Sequence, residues 1–81
     1  MGREARRVVD HADPTALYVQ LADILREQIA AGDYRKGDLL PSEKELCDLH
    51  GLAHGTVRKS LAKLADEGLV RPLPARGVMV L

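Results

Sequence analysis

The sequence predicts a mainly α-helical domain that ends in a small antiparallel sheet. Three segments repeat apolar residues at the spacing of one helical face, and a three-residue turn that starts with Gly51 separates the second segment from the third. Two short apolar stretches with a proline-containing loop between them close the chain. Because the chain has 81 residues, these elements are expected to form one small domain with a modest core.

The first helix is expected to begin at Asp13-Pro14, a typical N-cap followed by proline at the first helical position. It is expected to end just before Gly32, a residue that suits the left-handed position after a helix. Residues 1–13 mix arginines and acids without periodicity, so they are predicted to form a flexible charged arm ahead of a domain spanning 14–81. The apolar stripe of this helix consists of Leu17, Leu21, Ile24, Leu25 and Ile29.

The second helix has a clear start signal, because Ser42 and Glu45 form the Ser-x-x-Glu pattern of a capping box. It is expected to stop at Gly51, and a third helix is expected to run from about His54 to Glu67. Two helices joined by three residues, with glycine leading the turn, have the spacing of a helix-turn-helix.

Short strands are expected at Leu39-Leu40, at Leu69–Arg71 and at Val78–Leu81, with Pro72 confined to a strand end or loop. The order helix, strand, helix, turn, helix, strand, loop, strand describes a winged helix-turn-helix: three helices plus a β-wing. The expected core consists of Leu21, Ile24, Leu46, Leu49, Val57, Leu61, Leu64 and Val70.

Composition excludes several classes of protein. One cysteine cannot form an internal disulfide, no segment is apolar enough to cross a bilayer, and the N-terminus lacks the apolar region of a signal peptide, so a cytoplasmic protein without a membrane partner is expected. The 12 basic and 12 acidic residues give a net charge of zero. The total charge therefore neither indicates nor excludes nucleic-acid binding, which would depend on how the charges are distributed locally. No catalytic motif is recognisable, so an enzyme is not expected.

A metal site is the alternative interpretation of Cys47, His50 and His54. The string offers only three ligands, whereas a structural zinc site needs four, and Gly51 interrupts the helix between the two histidines. Cys47 is expected to be a small apolar residue on the inward face. Neither a metal nor any other cofactor is therefore expected, and no effector pocket is evident.

Several motifs, met in order along the chain, give a more specific indication. The stretches that carry it are Leu17–Leu21, Gly37–Leu46 (GDLLPSEKEL), Thr56–Lys59 and Glu67–Val70. Together they resemble the N-terminal DNA-binding domain of GntR-type transcriptional regulators, and the resemblance covers residues 14–81. It implies a repressor-type regulator that binds palindromic operators in double-stranded DNA as a homodimer.

The resemblance also implies how the domain meets DNA, with the third helix in the major groove and the wing in the neighbouring minor groove. Helical spacing turns Gly55 and Lys59 away from the core stripe, beside Arg58. The expected DNA-binding residues are Ser42, Lys44, His54, Gly55, Thr56, Arg58, Lys59, Arg76 and Gly77.

The chain departs from the family pattern in two places. Family members usually carry Ser or Thr, then Arg, then a polar residue where this chain has Ala53, His54 and Gly55, so a helix cap and a phosphate donor are missing. In the wing, Ala75 replaces the usual glycine. The alternative function consistent with these departures and with zero net charge is a winged-helix module that binds protein rather than specific DNA.

Most family members have an effector-binding domain after the winged helix. The sequence stops after the second wing strand, so no such domain is expected in it. The chain could be a short stand-alone regulator or part of a longer one, and its start at Met1 favours the former.

Overall fold

The computed structural model describes residues 8–81, which form three helices and a two-stranded antiparallel sheet. The elements are α1 (Leu17–Ala30), α2 (Glu43–His50), α3 (His54–Asp66), β1 (Val70–Leu73) and β2 (Gly77–Val80). Apart from the strand expected at Leu39-Leu40, their order is the one predicted for a winged helix-turn-helix. Within residues 8–81, no helix has the length and apolar character needed to cross a bilayer.

The start of α1 differs from the prediction. The carboxylate of Asp13 accepts a hydrogen bond from the backbone N–H of Thr15 (2.7 Å), which closes a turn ahead of the helix instead of capping it. The N-cap is therefore Ala16, three residues further on. The end of the helix agrees with the prediction, because Gly32 follows it with a φ of +88°.

The helix-turn-helix forms as the sequence predicts. Ser42 Oγ accepts from the N–H of Glu45 (3.1 Å), and the Glu45 carboxylate accepts from the N–H of Ser42 (2.8 Å), so both halves of the capping box are present. Gly51 ends α2 in the left-handed conformation (φ +67°). The chain turns there, and α3 begins at His54.

The core lies between α1, α3 and the inner face of the sheet, and every residue expected in it is buried except Leu49. Leu49 is 38% exposed, so its assignment to the core is wrong. The α2 helix has only eight residues, and its buried positions are Leu46 and His50, one turn apart. Leu46 and His50 therefore define the inward face of α2, and Leu49 lies on the side that faces solvent.

The packing of α3 against α1 depends on a small polar residue. Ser60 is fully buried, and its hydroxyl donates to the carbonyl oxygen of Tyr18 in α1 (2.8 Å). The same hydroxyl oxygen lies 3.2 Å from the carbonyl oxygen of Thr56, one turn earlier in α3. At the other end of the pair, Arg26 makes two hydrogen bonds to the carboxylate of Glu67 (2.9 and 2.8 Å). The guanidinium holds the pKa of the Glu67 carboxyl below its usual value.

The wing pairs β1 with β2 in antiparallel register, with Val70 opposite Val80. The expected strand at Leu39-Leu40 is a single bridge to Met79, extended by the hydrogen bond from Leu40 N–H to the Val78 carbonyl (2.8 Å). Pro72, expected at a strand end or loop, lies inside β1. An edge strand tolerates a residue without an N–H, and β1 pairs on one side only.

The segment ahead of α1 is packed, which changes the predicted domain boundary. Val9 is 6% exposed and its N–H donates to Nδ1 of His50 (3.2 Å), while His11 Nε2 donates to the His50 carbonyl (2.9 Å). Residues 8–13 therefore belong to the folded domain and not to a flexible arm. The remaining residues of that predicted arm, 1–7, lie outside the described residues.

One backbone position in the wing is strained. Ala75 has a φ of +62°, and it is the only non-glycine residue between 8 and 81 with a positive φ. We expect Ala75→Gly to raise the free energy of unfolding by up to about 1 kcal/mol, because glycine adopts this conformation without the Cβ clash. Urea unfolding measures the change.

The matched control is Ala62→Gly at an exposed position inside α3, where the same change should lower stability by about 1 kcal/mol. A less stable Ala75→Gly protein would contradict the left-handed assignment of this residue.

The buried histidine makes stability depend on pH, because burial lowers the pKa of His50 below its ordinary value of 6.5. As the pH falls through 6.5, the unfolded chain takes up this proton before the folded protein does. The free energy of unfolding should therefore be constant above that pH and decline below it, by at most about 1.4 kcal/mol per pH unit for one group. Urea unfolding at pH 7.5, 6.5 and 5.5 measures the decline.

His50→Asn retains an oxygen acceptor for Val9 but does not titrate, so its decline over the same range should be smaller. His11 and His54 are present in both proteins, so the comparison isolates the removal of the His50 imidazole. An equal decline in the two proteins would show that His50 does not carry the effect.

Candidate nucleic-acid interface

The outer face of α3 carries most of the residues expected to bind DNA. His54, Gly55, Arg58 and Lys59 are exposed, and Thr56 is half-buried. The opposite face is buried against the core through Val57, Ser60, Leu61 and Leu64. No acidic residue occurs from position 54 to 65, so α3 itself contributes only basic charge to this face although the chain as a whole is neutral.

The N-termini of α1 and α3 open onto one shallow pocket of about 460 Å³. Ala16 and Ala53 occupy the N-cap positions, no side chain of residues 8–81 caps either helix, and neither first turn contains an acid. Free N–H groups and the positive end of a helix dipole both favour an anion. The pocket is lined by Leu17, Tyr18, Ala53, Gly55, Thr56 and Lys59.

Lys59 is held at this pocket by an aromatic ring. Its Nζ lies 4.2 Å from the centroid of the Tyr18 ring, which is a cation–π distance. Tyr18 is not among the residues that the sequence predicts to bind DNA, and the structure places it in contact with one of them. Gly55 lies nearby, and the space where a side chain would begin is open, because no other part of the described chain packs against it.

The start of α2 and the tip of the wing meet at a second groove. Ser42, Arg76 and Gly77 line it together, and its volume is about 420 Å³. Arg76 is exposed in the turn between β1 and β2. The structure thus brings three of the predicted site residues together from separate parts of the sequence.

Lys44 stands apart from the other predicted residues. Its side chain is 80% exposed and its Nζ is 2.9 Å from the carboxylate of Asp48, one turn further along α2. The hydrogen bond to this carboxylate raises the pKa of Lys44. None of the hydrogen bonds or ion pairs described for residues 8–81 connects it to α3 or the wing.

Glu43 is a residue of this surface that sequence reasoning missed. Its Oε1 accepts a hydrogen bond from Nε of Arg58 (3.0 Å) and lies 3.6 Å from Nδ1 of His54. Its position in the first turn of α2 indicates only a favourable interaction with the helix dipole. Nothing in the sequence shows that two helices place residues 15 positions apart in contact.

The three residues considered as a metal site have separate partners. Cys47 packs against the core, His50 accepts from Val9, and His54 lies near Glu43. Among residues 8–81, no three His, Cys, Asp or Glu side chains are close enough together to hold a metal ion.

Comparison with known proteins identifies the family. Residues 17–80 match the family described as bacterial regulatory proteins, gntR family. The chain belongs to this family. One relative is the mannosyl-D-glycerate transport/metabolism system repressor MngR of Escherichia coli, 39% identical over 64 residues, which are 79% of this chain and 27% of MngR. This GntR-family chain therefore spans less than a third of the relative's length.

Solved structures of the family confirm the winged-helix fold. YtrA from Sulfolobus acidocaldarius, a GntR-family transcription factor, is 38% identical with a TM-score of 0.79, covering 88% of this chain and 74% of that one. The AraR DNA-binding domain in complex with operator ORR3 is 26% identical with a TM-score of 0.78, covering 79% and 77%. The GntR-type winged helix predicted from the sequence is thus confirmed.

Proposed function

We propose that this GntR-family domain binds specific sequences in double-stranded DNA and regulates transcription. The observation that carries the proposal is the face of α3 that points away from the core, which exposes His54, Arg58 and Lys59 on a helix with no acidic residue from position 54 to 65. The similar AraR domain was solved in complex with operator DNA, which supports this partner. A helix-turn-helix presents its second helix to the major groove.

The two grooves beside α3 support a role in phosphate binding. The pocket at the start of α1 and α3 offers free N–H groups, the hydroxyl of Thr56 and the ammonium of Lys59. Gly55 lets the DNA backbone approach closely, because no side chain stands there. Arg58 lies nearer the middle of the exposed face, where base edges would be reached.

We propose that the remaining predicted residues contact the DNA on either side of the segment that α3 meets. Arg76 and Gly77 at the wing tip would enter the neighbouring minor groove, and Ser42 and Lys44 would meet phosphates at the start of α2. A narrow minor groove attracts an inserted arginine. Ser42 lines the groove at the wing tip together with Arg76 and Gly77, which supports a shared role in contacting the flanking DNA.

We further propose that the regulator is a repressor, because MngR is one, and that it acts in the cytoplasm, where bacterial DNA lies. No catalytic step is needed for this function, since affinity for an operator is enough to compete with other proteins on DNA.

A second function remains as the competing proposal, a module that binds protein. The observation that favours it is the pairing of Arg58 and Lys44 with carboxylates, which reduces the charge available to phosphates. Salt dependence separates the two functions, since neutralised phosphates release counterions and a protein interface need not.

The test begins with selection of duplexes by the wild-type chain from a library with a randomised 20-base-pair segment. We expect one family of sequences to be enriched, with a logarithmic salt slope of about −0.9 for each phosphate neutralised. Fluorescence anisotropy at several salt concentrations gives the slope. A pool without enrichment, together with a slope near zero, would contradict the proposal.

Arg58 should matter more to this binding than Lys63. Arg58 is exposed in the N-terminal half of α3, whereas Lys63 lies in its last turn, 3.7 Å from the carboxylate of Glu67. Arg58→Ala should weaken binding to the selected duplex by about 1–3 kcal/mol, and Lys63→Ala by less. Equal losses would show that α3 meets DNA in a different orientation.

Two copies are proposed to bind one palindromic operator, because a single small module covers about a half-site. Sedimentation of the selected duplex with increasing protein should therefore reach two chains per palindrome. Saturation at one chain per palindrome would reject the dimer and leave DNA binding intact.

A further inference from the structure

One acidic side chain lies among the cations of the candidate interface. Glu43 is the first residue of α2, and it lines the same groove as Ser42, Arg76 and Gly77. Glu43 takes no part in the capping box, which is formed by Ser42 and Glu45. A carboxylate on a surface that meets phosphates weakens binding by like-charge repulsion, so its presence calls for a compensating role.

The geometry of its main contact indicates that role. Glu43 Oε1 accepts from Nε of Arg58 at 3.0 Å, the distance of a charge-assisted hydrogen bond. The Arg58 side chain is 68% exposed, so the guanidinium reaches out from α3 with its Nε edge held. The two terminal nitrogens are not used by this bond.

Those terminal nitrogens are a donor pair that suits guanine. Arginine recognises guanine with two parallel N–H groups directed at O6 and N7 in the major groove. An arginine held at Nε loses less conformational freedom when it binds than one that moves freely in solvent. A freely moving arginine can instead meet any nearby phosphate, which carries no sequence information.

We propose that Glu43 is a positioning residue that determines specificity, because its carboxylate holds Arg58 so that the terminal nitrogens face a guanine. The proposal rests on the DNA binding proposed above. The same carboxylate also offsets the charge of Arg58, and so it lowers affinity for DNA of unrelated sequence. Specificity rises from both effects.

A purely local role for Glu43 predicts a different outcome. An acid at a helix N-terminus stabilises that helix through its dipole. If this were its whole contribution, substitution would lower the melting temperature and leave base preference unchanged. Base preference is therefore the measurement that separates the two roles.

The experiment compares four forms of the full chain: wild type, Glu43→Ala, Glu43→Gln and Asp48→Asn. Each selects duplexes from the same library with a randomised 20-base-pair segment, and the base frequencies of the selected pools are compared. Binding of each protein to the wild-type-selected duplex and to a shuffled duplex of equal composition gives the specificity ratio. Thermal unfolding shows that each variant is folded.

Asp48→Asn is the matched control, because it also removes one carboxylate from α2 and also frees a cation, Lys44. Lysine is a point charge without the paired donors of arginine. This variant should bind both duplexes more tightly while its selected pool keeps the base preferences of the wild type.

Glu43→Ala should bind the shuffled duplex more tightly and lose about two- to tenfold in specificity ratio beyond the control, the range expected when an immobilised side chain is released. One guanine position in its selected pool should become degenerate. Glu43→Gln keeps an oxygen acceptor for Nε, so it should restore that preference in large part while its affinity for shuffled DNA stays raised.

Two results would overturn the inference. If the Glu43→Ala pool keeps every base preference of the wild type, Glu43 does not position Arg58 for base recognition, although DNA binding stands. If the wild-type pool itself shows no enrichment, the proposed function fails and the inference fails with it.

Discussion

The packing of α3 against α1 is the constraint on which the rest of the structure depends, because it decides which face of α3 is available to a partner. Ser60 is central to this packing: its hydroxyl is fully buried and donates to a carbonyl of α1. Because this hydrogen bond joins the two helices at a fully buried position, it favours one rotation of α3 about its axis. That rotation turns Arg58 and Lys59 outward.

Electrostatics at the interface is local and balanced. The chain has no net charge, and two of its candidate DNA-binding cations, Lys44 and Arg58, are each paired with a carboxylate. Exposed pairs of this kind add little to stability. Their effect on a partner is larger, since they set how much free positive charge a phosphate meets. A domain of this type can therefore combine modest affinity with selective contacts.

Two features of the structure place constraints close to the candidate interface. The wing turns through Ala75 in a left-handed conformation that a side chain disfavours, directly before the predicted contact residue Arg76. The segment before α1 is bound to the buried His50 at the end of α2, near the turn that leads to α3. The domain thus includes residues that its sequence pattern assigns to an arm.

Local signals in the sequence determined the three helices, the capping box at Ser42, the turn at Gly51 and the order of the strands, because each depends on residues a few positions apart. They also determined most of the core, and a series of short motifs identified the family. Spacing alone assigned Leu49 to the core, since the stripe of an eight-residue helix is too short to fix its direction.

Only the tertiary structure decided the contacts between distant residues. Glu43 meets Arg58, Val9 meets His50, and Ser60 meets the backbone of α1. Each of these contacts joins two elements, so it depends on how the elements are oriented in space. A sequence pattern records which face of a helix is apolar, but it does not record which polar atom of another element that face will meet.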